Sequence, residues 1–569
     1  MTESKISQPT EWLRAWREAV DPFGMLDACQ RVQQAWLRQP KALAGQVNAL
    51  AADATTVQLH AMRRYLGENE DDLIRVNPFD ERFQDPVWEQ NPFFDHLKEL
   101  YLLGTRWLED TIEATPESDP EARAKAVFMT RQMLNAMAPS NLFWTNPAAL
   151  LRALQTGGLS LAEGMANLVK DLHRGTVRMT DEEAFTVGEN LATTPGEVVF
   201  RNRLLEVIQY TPTTDKVRAM PLVLVTPWIN KYYILDLNSR KSLVRWLVDQ
   251  GFTVFITSWK NPGPEHRETT FDDYLVDGAL QAVEVARAVT GSDQVHLAGY
   301  CIGGTLVAAL MAWLSRAGGR RKPPVAHWTL FTTLVDFDLP GEIGVFIDDD
   351  TIAWLEKRMA ETGYLDGQDM ANAFRALRSN SLIWYYYVHN YLLGEELPRF
   401  DVLYWNMDTT RMPERMHAWY LREFYLHNRL VQPDAITLGG HKIDLGRIRQ
   451  PLYVVGAEQD HIAPWHATFR IGGLVKGPVR YVLATSGHIL GIINPPVDPP
   501  KRRYWADEIG DVTDPEIWQQ AAPKVPGSWW EDWAGWLGER CGDQVEPPGL
   551  GNADYPPLAP APGTYVLER

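Results

Sequence analysis

Cysteine is scarce in this sequence: 569 residues carry three, Cys29, Cys301 and Cys541. Three scattered thiols exclude a disulfide framework or a cysteine zinc cluster, and a reducing compartment is the expectation. Long apolar runs are missing too. The stretch Leu306–Leu314 falls well short of the roughly 18 residues that a membrane-spanning helix needs. Residues 1–16 lack a basic segment followed by an apolar run, so no secretory leader is expected. Positive charge is in deficit, with 55 Lys and Arg against 73 Asp and Glu and a net charge of −18. Such a balance argues against nucleic acid as a partner, because phosphate-backbone binding needs clustered cations. Apolar residues make up 45% and charged residues 22%, which excludes a disordered composition. What is abundant is tryptophan, 22 against 19 phenylalanines, implying extensive apolar surfaces. A soluble, cytoplasmic protein with no transmembrane segment is the expectation.

The length allows about three to four domains. Trp12 and Trp16 stand four apart and Leu26, Cys29 and Val32 keep a helical step, so the first 75 residues or so read as helices. They form either a hairpin packed on the main body or a docking surface. Helical texture continues to about residue 190, punctuated by Asn77–Pro78, Asn91–Pro92 and Asn146–Pro147, each a turn or helix start. Near Pro195–Gly196 the texture changes. Short β-rich runs follow at Val198–Phe200, Leu204–Tyr210, Leu222–Thr226, Thr253–Ser258, Val295–Ala298, His327–Thr332, Leu452–Val455 and Arg480–Leu483. Helical patterns lie between several of them, such as Asp272–Thr290 with Gly291 as its C-cap. Strands alternating with helices predict an α/β fold with a mostly parallel, doubly wound sheet. The expected division is a helical region over 1–190 and an α/β domain over 191–569.

One connection breaks that rhythm. More than 110 residues separate Thr333 from Leu452, far beyond the ~2–6 residues of an ordinary strand–helix loop. An inserted lid or cap subdomain is expected at about 334–445, dense in aromatic pairs such as Trp419–Tyr420 and Phe424–Tyr425. Beyond Pro495 the chain is proline-rich, and Trp529, Trp530, Trp533 and Trp536 have the spacing of a short amphipathic helix.

The strongest chemical signal is Val295-His-Leu-Ala-Gly299-Tyr300-Cys301-Ile302-Gly303-Gly304, followed by an apolar helix. This is the strand–turn–helix setting of a nucleophile elbow, with cysteine at the serine position. Glycines two residues either side let the turn close, and the helix N-terminus favours a thiolate. The Ile302 N–H becomes one oxyanion donor. In such folds the acid and the histidine follow later in the chain. Asp460 lies in Gly456-Ala-Glu-Gln-Asp460-His461, just past a strand, with Glu458 its competitor. His488 lies in Ser486-Gly487-His488, after the last strand of that run, and His461 and His466 are the other histidines near strand ends. The second oxyanion donor is the N–H of Trp228 or Ile229, since Pro227 has none. Cysteine attacking a thioester makes another thioester and keeps the acyl group activated, which favours acyl transfer over hydrolysis. No metal and no resident cofactor is called for.

These motifs resemble those of polyhydroxyalkanoate synthases. The likeness runs over roughly 78–569 and includes Arg82–Trp88, Pro139–Pro147, Gly188–Gly196, Pro227–Leu237, Gly299–Gly304, Asp460–Trp465, Ser486–Ile489, Asn494–Pro496 and Pro562–Val566. The resemblance implies an α/β-hydrolase-fold acyltransferase that polymerises (R)-3-hydroxyacyl groups, such as 3-hydroxybutyryl, from their coenzyme A thioesters and releases CoA. It implies Cys301 as acyl carrier, His488 as base and Asp460 as its orienting acid. Length, the large N-terminal region and Leu334–Phe337 resemble the class I members, which need no second kind of subunit. A homodimer attached to polyester granules is implied as well. The alternative reading is a Cys-triad acyl-CoA thioesterase.

Overall fold

A computed structural model describes residues 21–68, 73–74, 76–77, 80–317 and 322–569. Trp12, Trp16 and Pro78 lie outside the described residues. The chain groups into two units: 1–181 with 372–399, and 182–371 with 400–569. The helical region thus ends nine residues before the expected boundary, and the stretch expected as one insertion is shared between the units.

The first unit is helical. Its longer helices are α1 (Met25–Leu37), α2 (Pro40–Tyr65), α3 (Pro92–Glu113), α4 (Pro120–Ala136), α5 (Pro147–Gln155) and α6 (Leu159–Arg174). Two of the Asn-Pro pairs are helix starts: Asn91 Oδ1 accepts the Phe93 N–H and Asn146 Oδ1 accepts the Ala149 N–H. In each, proline fills the first helical position, where no N–H is needed. Val32, Trp36, Ile112 and Ala126 form its apolar core. Buried charge is balanced: His60, Asp95 and Glu99 come together, and Asp95 is met by Lys98 at 3.0 Å and Arg64 at 2.6 Å. The 372–399 segment is tied in by polar bonds, Asn135 Nδ2 to Ser379 Oγ and Tyr391 OH to Asp171 Oδ2 among them.

The second unit is built on one sheet of eleven strands. In chain order these are β1 (Gly196–Arg201), β2 (Leu205–Tyr210), β3 (Leu222–Val225), β4 (Val254–Trp259), β5 (Val295–Tyr300), β6 (Val325–Phe331), β7 (Leu452–Ala457), β8 (Val479–Ala484), β9 (Arg503–Glu508), β10 (Lys524–Pro526) and β11 (Ala559–Pro560). The spatial order is 10-9-8-7-6-5-3-4-2-1-11. The six central strands, β3 to β8, run parallel; the flanking ones are antiparallel. Central strands are buried on both faces, so they read as unbroken apolar runs. In β3, Leu222 and Leu224 enter the core on one face, Val223 and Val225 that on the other. The Asp272–Thr290 expectation corresponds to a capping box at Thr270, a π-helical turn over Tyr274–Leu280 and a helix over Gln281–Thr290. Gly291 ends that helix with φ of 70°. The late strands β9 to β11 carry no sequence alternation strong enough to announce them. Among the described residues, no helix is long and apolar enough to cross a membrane.

Beneath the sheet lies a neutral polar chain. His327 Nε2 faces the Arg540 carbonyl at 3.3 Å, which can only accept, so that nitrogen carries the proton. His327 Nδ1 therefore accepts from His296 Nδ1 at 2.6 Å, and His296 Nε2 accepts from the Thr329 hydroxyl at 3.0 Å. A proton added to His327 Nδ1 would set two donors face to face. Burial lowers both histidines, His327 to about 4. A depressed histidine contributes stability that is complete above its unfolded pKa of about 6.5 and fades as pH falls toward 4. We expect a loss on the order of 3 kcal/mol from His327 alone over that window. Thermal unfolding of wild type against His327→Asn at pH 7 and pH 4.5 checks it: the variant's pH dependence should be flatter.

Candidate active site

Four of the parallel strands deliver the predicted site residues at their carboxyl ends, the usual place for function in an open α/β sheet. Cys301 follows β5, the Trp228–Ile229 loop follows β3, Asp460 follows β7 and His488 follows β8. Cys301 has φ of 54°, a left-handed conformation held because the turn is pinned on both sides. Its N–H donates to Phe331 O on β6, and its carbonyl accepts from Gly304 and Thr305 at the start of α7 (Ile302–Ala317). The glycines answer to close approach. A Cβ on Gly299 would sit 2.5 Å from Gly304 Cα, and one on Gly303 2.5 Å from Val225 O. The helix can only start this near the strand without those side chains.

His488 Nδ1 bonds Asp460 Oδ2 at 2.7 Å. Asp460 Oδ1 accepts the N–H groups of Ile462 and Ala463 at 2.8 and 2.9 Å, so both carboxylate oxygens are committed. The other imidazole nitrogen is left for Cys301, whose sulfur is near enough to act on the His488 charge. Burial disfavours the imidazolium, but the Asp460 carboxylate and the Cys301 sulfur outweigh it and push His488 up to about 10. Glu458 does not bond His488 in the described contacts; His466 pairs with Glu516 at 2.8 Å. Among the described residues the N–H groups of Trp228, Ile229 and Ile302 have no protein acceptor, whereas the next one, Asn230 N–H, donates to Thr410 Oγ1. Three unspent donors thus remain beside the thiol's turn.

The support around this line was less visible in the sequence. Tyr300 stacks on His488, with ring centroids 5.6 Å apart, and its hydroxyl donates to His488 O. The helix α8 over Trp529–Gly538, expected from its tryptophan spacing, holds the loop beyond His488. Trp529 Nε1 donates to Gly491 O and Trp530 Nε1 to Ile492 O, with both rings buried. In the inserted stretch, burial raises the hydroxyls of Tyr420 and Tyr425, and the charge of Cys301 adds to the shift of both. Asn428 Nδ2 bonds Asp336 at 2.8 Å and tethers that stretch to the loop after β6.

The fold and the cysteine elbow place the chain among enzymes of the α/β-hydrolase fold, and the model of that fold matches residues 228–495. A second family model, described as the poly-beta-hydroxybutyrate polymerase (PhaC) N-terminus, matches residues 79–247. The chain is 44% identical over 542 residues to a poly(3-hydroxyalkanoate) polymerase of Methylorubrum extorquens, covering 94% of this chain and 88% of that one. It is 38% identical over 571 residues to the PhaC subunit of the Rhizobium meliloti polymerase, covering 98% and 92%. To the PhaC subunit from Cupriavidus necator it is 42% identical over 496 residues, covering 86% and 83%. The chain belongs to the poly(3-hydroxyalkanoate) polymerase family.

Proposed function

We propose that this enzyme polymerises (R)-3-hydroxyacyl groups from their CoA thioesters through a Cys301–His488–Asp460 triad and a covalent thioester. The observation that carries the reading is the Asp460–His488 bond across two strand ends, with Cys301 on the elbow at a third. His488 removes the Cys301 proton, and the thiolate attacks the thioester carbonyl. Negative charge gathers on the carbonyl oxygen, toward which the Ile302 N–H and that of Trp228 or Ile229 are unspent donors. Collapse expels the CoA thiolate, which takes the proton from His488 and leaves the acyl group on Cys301. In elongation His488 removes a proton from a 3-hydroxyl, whose oxygen attacks the next thioester carbonyl; an ester bond forms and a thiol is released. Asp460 keeps the imidazole's donor nitrogen turned away from sulfur.

The inserted stretch acts as a lid over Cys301 in this reading, excluding water so that the acyl thioester meets a hydroxyl instead. The active species is a homodimer, and the protein moves onto its apolar polyester product. Purified protein incubated with 3-hydroxybutyryl-CoA tests the reading. CoA and ester bonds should appear in near-equal number with an insoluble polyester. A clear solution containing mainly free 3-hydroxybutyrate would replace the polymerase by a thioesterase.

A further inference from the structure

The loop after β3 is held by one hydroxyl from the inserted stretch. The buried Thr410 Oγ1 lies 2.7 Å from Trp228 O and 2.8 Å from the Asn230 nitrogen. A carbonyl only accepts and an amide N–H only donates, so Thr410 gives its one proton to Trp228 O and receives the Asn230 N–H. It thus bridges the carbonyl before Ile229 and the N–H after it. The Trp228–Ile229 peptide is trans, and a trans peptide is planar with its C=O and N–H on opposite sides. Fixing Trp228 O on Thr410 therefore turns the Ile229 N–H away from Thr410, where among the described residues no protein acceptor meets it. The residues on either side leave the loop little slack. The Trp228 ring is buried, 4.5 Å from that of Tyr274 and 5.5 Å from that of Trp259 between centroids. Asn230, at φ of 65°, donates its side-chain amide to Trp405 O and Asn406 O at 3.2 Å each. The Trp228 N–H belongs to the preceding peptide, which Thr410 does not touch.

We infer that Thr410 is a positioning residue for the oxyanion site: by pinning the Trp228–Ile229 peptide it makes the Ile229 N–H, rather than that of Trp228, the second donor to the thioester oxygen. This inference rests on the polymerase reading above. Thr410 acts through the peptide, since its proton is committed to the loop. Valine at 410 keeps the shape and removes both bonds, which frees the peptide to turn. A donor aimed at charge that appears only in the transition state serves turnover and not ground-state binding. The loss should therefore fall on the rate of acylation and leave the half-saturating ester concentration little changed.

The test sets two reactions of the same thiol side by side. Acylation by 3-hydroxybutyryl-CoA, read as single-turnover CoA release, passes through an oxyanion. Alkylation of Cys301 by iodoacetamide, read by mass on its peptide, does not. In Thr410→Val acylation should fall about 10- to 100-fold, less than the outright loss of a donor costs, with alkylation within about threefold of wild type. Thr410→Ser keeps the hydroxyl and should acylate within about threefold of wild type. A role confined to stability would lower both reactions together, in step with the folded fraction in thermal melts. Where Thr410→Val does not fold, Thr410→Ala removes the same hydroxyl with less bulk and is read in its place. Acylation unchanged, or both reactions lowered equally, with wild type still making polyester, overturns this inference alone. Wild-type protein that releases no CoA from the ester overturns the polymerase reading and this inference with it.

Discussion

Replacing Cys301 by alanine should abolish covalent acyl labelling and lower CoA release by about 10⁴-fold or more, the scale on which enzymes lose a nucleophile. The fold should survive. Alanine keeps the Cβ, so the backbone at φ of 54° is no more strained than before, and the bonds that hold the turn are made by main-chain atoms. Serine at 301 should be severely impaired as well, because an alkoxide is much harder to form at neutral pH than a thiolate. A second readout belongs to His488. Cys301 is one of the two negative neighbours that hold its pKa up, so in Cys301→Ala the imidazole should titrate at lower pH, an effect visible by NMR. Labelling that persists in this variant, or that follows Cys29 or Cys541, would reject the assignment. Cys541 is an unpromising rival: burial raises its thiol to about 12.

Much of this candidate site is legible in the sequence because each candidate residue sits where a strand ends. Gly299-Tyr-Cys-Ile-Gly303 marks a strand–helix turn by its glycines alone, and the close contacts at Gly299 and Gly303 show why no other residue fits. Asp460 and His488 are marked the same way, each a few residues beyond an apolar run. The strands were legible too, since burial on both faces leaves runs such as Leu222–Val225 with no polar alternation. Other parts depend on chain return over long separations, which no local pattern encodes. Tyr420 and Tyr425 pack on Phe337 across more than eighty residues of chain, and their aromatic spacing says only that they pack. The 372–399 segment belongs with the helical unit, although its sequence continues the texture of the insertion around it. Its affiliation comes from polar bonds to α4 and α6, such as Asn135 to Ser379 and Tyr391 to Asp171. Of the late strands, β10 and β11 are three and two residues long and each contains proline, so their pairing is decided by the neighbouring strand.

Asp460→Asn should be nearly as damaging as loss of the thiol, although it changes one atom. In the wild type Asp460 Oδ1 accepts two backbone N–H groups, from Ile462 and Ala463, while Oδ2 accepts from His488 Nδ1. An asparagine has one oxygen to offer. Two amides compete for it against one imidazole, so the oxygen stays on the Ile462 and Ala463 side and the NH₂ group turns toward His488. A donor facing Nδ1 makes that nitrogen an acceptor and drives the imidazole proton onto the nitrogen beside Cys301. That tautomer cannot take the thiol's proton. The same exchange in a serine-based triad costs about 10⁴ in turnover, and we expect a loss of 10³ to 10⁴ in CoA release here on that basis. His488 should lose its elevated pKa, because the carboxylate is the stronger of the two charges that raise it. Stability should change little, since the turn's backbone bonds are kept. Glu458→Gln, two residues away, serves as the control and should retain activity. Turnover of Asp460→Asn within about tenfold of wild type, with His488 still titrating high, would remove Asp460 from the triad.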